Sequence, residues 1–241
     1  MKNKMALTFA LKNIRSQRES HIPYILSSSL IFAIVYTMVS LTKNEYVLTR
    51  HAMLVQLIGM GLIVVLILGF IFLAYGNKFI MKRRNKEFAL YGILGLEKKH
   101  ISKIIFFEFI INTLLIGVLS FLMGHLFGRV SYLGLGKIMD FGLDLSGYPF
   151  YAENLIFTFL AILIFSFVLY LFNVIRISKQ TPIELLNYEK TGEKEPKSKF
   201  IFALLGLAFL GTGYYIALTA KGTIMSFSYF FIAVILVMIG L

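Results

Sequence analysis

No cysteine and no tryptophan occur among the 241 residues, and only four are proline. The missing cysteine excludes a disulfide framework, a thiolate-held zinc or iron–sulfur site, and a thiol nucleophile. Charge is scarce as well. Asp, Glu, Lys and Arg make up 15% of the chain while 58% is hydrophobic, whereas a soluble domain carries about 25% charged residues. Too little polar surface remains to wrap such a chain in water, which excludes a water-soluble enzyme. Acidic residues number 12 against 24 basic ones, leaving a net charge of +12. Nucleic acid, an anionic membrane surface and topology signals all fit that excess, and the positions of the charges decide among them.

Six windows lack Asp, Glu, Lys and Arg altogether: 20–42, 51–77, 109–128, 154–175, 200–220 and 222–241. A helix needs about 20 apolar residues to cross a hydrocarbon core of about 30 Å. Spans are therefore expected near 22–42, 54–76, 104–128, 154–175, 200–219 and 225–241. Their Leu, Ile, Phe and Val surround the whole helix rather than one face, and they lack the short alternating segments of a barrel. The expected fold class is all-α, a polytopic membrane protein of about six transmembrane helices. The first span is too long for the apolar region of a signal peptide and lacks a small-x-small cleavage site, so it reads as an anchor.

The bases divide unevenly. Five lie in the N-terminal tail, eight in 78–103 and six in 176–199, against five in the intervening loops. The positive-inside rule then places the N-terminus and both rich segments in the cytoplasm. Most of the +12 is topology signal, and nucleic acid is not an expected partner. The last span runs to Leu241 as VILVMIGL with no polar flank. Its carbonyls would stand uncapped at membrane depth, so the chain is expected to be a fragment of a longer protein.

Three cytoplasmic pieces have character of their own. Residues 1–20 form an interfacial helix, with Leu7, Leu11 and Ile14 on one face and Lys4, Lys12, Arg15 and Arg18 on another, suited to lie on anionic headgroups. In 78–103, Glu87, Phe88, Tyr91 and Leu94 recur at helical spacing. This predicts a short amphipathic helix near 85–94, stopped by Gly95 at C′, with Glu97 opening the next helix. Thr181, Pro182 and Glu184 compose a capping box ahead of a second short helix near 182–188. Residues 189–199 are Lys/Glu-rich with Gly192 and Pro196 and read as a linker. It separates a four-span module (21–188) from two further spans (200–241).

The run RRNKEFALYGILGLEKKHISKIIFFEFIINTLLIGVLSFLMGHLFG resembles the signature of the FtsX-like (MacB-type) ABC-transporter permease domain. The signature's basic pair is filled by Arg83 and Arg84, and its acidic–aliphatic pair by Glu87 and Phe88. Leu94–Gly95, Lys98–Lys99, Ile101, Glu108 and the small residues Gly117, Gly124 and Gly128 follow in order. The short loop after the first span is most similar to the Bce-type antimicrobial-peptide (bacitracin) branch, a family of ten-span chains. The resemblance implies a permease subunit that couples ATP hydrolysis by a separate ABC ATPase, acting as a dimer, to the handling of antimicrobial peptides or lipid-linked targets by mechanotransmission. It implies a coupling helix docking on that ATPase, with Arg84, Glu87, Tyr91 and Gly95 as the coupling residues. It also implies residence in a bacterial cytoplasmic membrane and a sensor histidine kinase as a further partner. No G-x-x-x-x-G-K-[ST] loop is present, so no ATPase activity and no cofactor are expected in this chain; ATP and magnesium would sit on the partner. The alternative is a membrane scaffold or signalling subunit controlling a sensor kinase or a cell-wall enzyme. An ion-coupled carrier fits poorly, because no carboxylate lies in the span cores.

Ser120, Gly124 and Gly128 form a small-xxx-small ladder expected to pack helices closely. Glu108, one turn inside the third span, is expected to snorkel toward the basic surface, with an ion pair as the alternative. His125 reads as a packing residue, and no His spacing suggests a metal site. Residues 129–153 read as an outer loop forming an interfacial aromatic belt, with contact to a lipid-linked or peptide substrate as the alternative.

Overall fold

The computed structural model describes residues 3–50, 52–138, 148, 150–187, 200–219 and 224–240. They form helices α1 (Asn3–Ser16), α2 (Arg18–Thr42), α3 (Glu45–Arg50), α4 (Ala52–Ile93), α5 (Lys98–Ile138), α6 (Ala152–Lys179), α7 (Pro182–Asn187), α8 (Phe200–Thr219) and α9 (Ile224–Gly240), with no strand among the described residues. The protein is all-α and polytopic. Among the described residues, five helices are long and apolar enough to cross a membrane: α2, α4, α5, α6 and α8. The sixth expected span is α9, whose 17 residues rise about 25 Å, short of a full hydrocarbon core. Side chains such as Leu68, Phe72, Val118, Leu126, Ile164 and Phe172 point outward and exposed, a surface that lipid tolerates and water does not.

The chain divides into two compact units, 1–37 with 68–192 and 38–67 with 193–241. In the first, α1 lays its small face against α5, with Ala6 and Ala10 closing on Ile104. Leu7 and Leu11 are left exposed. The ends of α4, α5 and α6 nearest the α4–α5 turn share a core of Met81, Phe88, Ala89, Ile101, Ile105 and Ile177, into which α7 inserts Leu185. The capping box holds α7 in place. The Thr181 backbone N–H donates to Glu184 Oε2 at 2.8 Å, and the Glu184 N–H to Thr181 Oγ1 at 3.3 Å.

The buried side of α5 runs Ile116, Ser120, Gly124, Gly128, Tyr132 and Gly136. A four-residue step advances about 40° around a 3.6-residue helix, so this line winds and is covered by different neighbours along its length. At Gly124 the neighbour is α2: Thr37 Oγ1 donates to the Gly124 carbonyl at 3.1 Å. A Cβ there would stand 2.9 Å from Tyr36 and 3.0 Å from the Ala33 oxygen. Gly128 faces the Tyr148 hydroxyl, and the Ser120 hydroxyl is buried on its own helix, donating to the Ile116 carbonyl at 2.6 Å. In the second unit, α8 and α9 pair antiparallel, Gly206 against Gly240 and Gly213 against Ala233.

Two expectations are corrected. The amphipathic stretch after the second span is not a separate short helix: α4 continues through it for 42 residues in all. Nothing in 77–91 (NKFIMKRRNKEFALY) breaks a helix, so the bases mark where lipid ends and not where the helix ends. Likewise 129–138, expected to be loop, belongs to α5, because Tyr132 and Gly136 prolong its buried line. The linker expected at 189–199 and most of the outer loop, 139–147 with 149, lie outside the described residues.

Candidate functional site

The turn between α4 and α5 is built by a complete helix stop. The Leu96 N–H donates to the Tyr91 carbonyl at 2.9 Å and the Gly95 N–H to the Gly92 carbonyl at 3.1 Å, the two bonds of a Schellman motif. Gly95 is its C′ residue, with φ +86°, a conformation that side-chain-bearing residues resist. Glu97 then opens α5, its carbonyl accepting from the His100 N–H at 2.8 Å. Lys99 Nζ lies 2.6 Å from Glu97 Oε2, and that hydrogen bond holds the Glu97 carboxyl below the ordinary carboxylate range.

Just inside this turn, charged and amide groups of α1, α4 and α5 meet in the protein interior. Arg84 Nη1 pairs with Glu108 Oε2, the two side chains 0% and 4% exposed. Asn13 of α1 donates its amide to Glu108 Oε1 at 3.1 Å. Arg84 Nε stands 3.8 Å from Glu87 Oε2, and its guanidinium lies 4.5 Å from the centre of the Phe88 ring. Gln17, at the junction of α1 and α2, donates to Glu87 Oε1 at 2.6 Å, and Arg83 donates to Ser20 Oγ at 2.9 Å. A buried charge is tolerated only when paired and hydrogen-bonded. This cluster therefore fixes the three helices against one another. Beside it, Asn77 of α4 and Asn173 of α6 exchange amide hydrogen bonds of 3.1 and 3.0 Å. His21, Arg84, Asn112 and both asparagines line a cavity of about 40 Å³, polar and large enough to admit water.

Of the four residues assigned to coupling, three turn inward and one stands outside. Arg84 does not reach the surface at all, and Glu87 is about one-third exposed, turned toward Arg84 and Gln17. Tyr91 is half-buried, its ring edge-on to Phe9 of α1 at 6.2 Å. Gly95 alone stands at the exposed turn. What the turn offers outward is Leu90, Ile93 and Leu94, which are 53%, 60% and 78% exposed; the sequence pattern included Leu94 but missed Leu90 and Ile93. Their i, i+3, i+4 spacing is the signal that could have found them, since it lies on the face opposite buried Phe88 and Ala89. Glu108 forms the ion pair rather than snorkelling. His125 sits among the rings of Tyr36, Phe121, Tyr148 and Phe150, with centroids 5.6–6.4 Å away.

Residues 59–182 match the family model of the FtsX-like permease C-terminal domain. Similar proteins occur in Bacillus subtilis (strain 168). They include the uncharacterized ABC transporter permease YvcS, 26% identical over 97% of this chain and 36% of that protein. The ABC transporter permease protein YxdM is 25% identical over 90% of this chain and 35% of its own length. The bacitracin export permease protein BceB is 26% identical over 89% and 33%. The chain thus spans about a third of the length of these curated relatives.

Proposed function

Since the chain belongs to the FtsX-like permease family, we propose that it serves as the membrane subunit of an ABC transporter and that the α4–α5 turn is where a separate ATPase dimer pushes. The observation that carries this reading is the continuity of α4. Its 42 residues make a rod about 63 Å long, about twice the hydrocarbon thickness. One end carries an apolar cap of Leu90, Ile93 and Leu94; a few turns along, the Arg84–Glu108 pair joins the rod to α5 and, through Asn13, to α1. Force applied at the cap travels along a helix and does not dissipate in a loop. Coupling then divides between contact and transmission. Leu90, Ile93, Leu94 and Gly95 meet the ATPase, while Arg84, Glu87 and Tyr91 hold the rod to its neighbours.

In this reading the N-terminus and the turn face the cytoplasm of a bacterial plasma membrane, consistent with the concentration of bases there. The work of the ATPase is delivered to the far side by mechanotransmission. The substrates are antimicrobial peptides or their lipid-linked targets, a class supported by the likeness to the bacitracin export permease.

The test is capture of a co-expressed ABC ATPase subunit by the tagged permease. Leu94→Glu and Ile93→Glu alter exposed side chains, so insertion and thermal stability stay at parental values. A charge in the middle of an apolar contact removes a hot spot of about 2 kcal/mol, so capture falls about 30-fold. Undiminished capture would show that the ATPase docks elsewhere.

A further inference from the structure

A second feature of the same end of the bundle is a cleft of about 410 Å³ beside the start of α5, lined by Lys98, Lys99, Ser102, Lys103, Phe106, Tyr170 and Ser178. We propose that it holds the phosphate headgroup of an anionic phospholipid from the cytoplasmic leaflet, with the acyl chains running down the aromatic wall between α5 and α6.

The rim is cationic and only lightly compensated. Lys98 is held in place by donating to the Ser178 carbonyl at 2.7 Å, and Lys99 is shared with Glu97. Lys103 has no carboxylate partner among the described residues. Lys99, Ser102, Lys103 and Phe106 recur at i, i+3, i+4 and i+7, so they stand on one face of α5. Ammonium groups near a membrane surface attract anionic lipid, and lysine side chains lay their stems along apolar surface while their heads stay in the polar zone.

The floor is of opposite character. Phe106 and Tyr170 approach at 5.6 Å, Phe109 stacks on Tyr170 at 5.4 Å, and Phe167 continues the row at 6.2 Å from Phe109. Phe106 and Phe167 are open to the surroundings. This row lies on two helices that cross the bilayer and leads from the lysines toward its interior. An acidic loop of a soluble partner could meet the lysines but could not follow the wall; a phospholipid matches both parts, phosphate at the rim and chain along the rings.

Native mass spectrometry of the full chain extracted in detergent, titrated with phosphatidylglycerol or with phosphatidylcholine of the same chains, tests this directly. The parent is expected to retain phosphatidylglycerol preferentially. Lys103→Gln should lower that retention about fivefold, the attraction of one lysine at an anionic surface, and Lys98→Gln/Lys99→Gln/Lys103→Gln should abolish the preference. Lys137→Gln, altering an exposed lysine at the opposite end of α5, should leave it intact. The proposal is overturned if Lys103→Gln retains as much as the parent. It is equally overturned if Lys137→Gln loses as much, or if the parent does not discriminate between the lipids.

Discussion

Arg84→Met strands Glu108 in the interior, 4% exposed, with the Asn13 amide as its remaining partner. Glu108→Leu strands Arg84, which keeps only Glu87 at 3.8 Å and the face of Phe88. Removing one member of a buried ion pair costs about 3–5 kcal/mol. The two variants should fall at different ends of that range. A stranded carboxyl can shed its charge by taking up a proton, whereas a guanidinium cannot lose one. In a chain of this size 1 kcal/mol moves Tm by about 2–4 °C, so Arg84→Met should lower it by about 6–12 °C and Glu108→Leu by about 10–20 °C. The double variant Arg84→Met/Glu108→Leu removes both charges and fills the space with apolar groups, a replacement that is often neutral or better. It should therefore be more stable than either single variant, and the cycle gives the coupling energy directly. Thermal unfolding in detergent micelles, followed by far-ultraviolet circular dichroism, reads all four proteins. Single variants within about 2 °C of the parent, or a double variant no better than the worse single, would refute the view that this pair clamps α4 to α5.

Thr181→Ala removes the hydroxyl that caps α7 and should cost about 1 kcal/mol, seen as faster amide hydrogen exchange over 182–187 while α4 and α6 stay protected. Gly124→Leu drives a side chain into Tyr36 and the Ala33 carbonyl. It should cost about 1–3 kcal/mol and lengthen the distance between α2 and α5 measured between spin labels on the two helices.

The sequence exposed what depends on local chemistry. Hydropathy windows located the spans because lipid contact demands a long uncharged run. The Gly95 stop and the Thr181–Glu184 box were legible because each is made by residues within a single turn. Helix length was not. Lys78 and Arg129 end the apolar runs, yet helix formers and buried Tyr132 carry α4 and α5 onward. The partner of Glu108 was hidden for another reason: Arg84 lies 24 residues earlier and Asn13 95 residues earlier, and only tertiary packing brings them together. For the same reason Arg84 and Glu87 were assigned to the docking surface, while Leu90 and Ile93 of the apolar cap drew no assignment.

The absence of native cysteine makes the central claim open to a direct measurement. Leu94→Cys places one thiol at the turn, and a short bifunctional crosslinker is applied to membranes holding the permease and a co-expressed ABC ATPase subunit. A permease–ATPase crosslink is expected from Leu94→Cys and none from Leu48→Cys, on exposed α3. A crosslink from Leu48→Cys but not from Leu94→Cys would contradict the account.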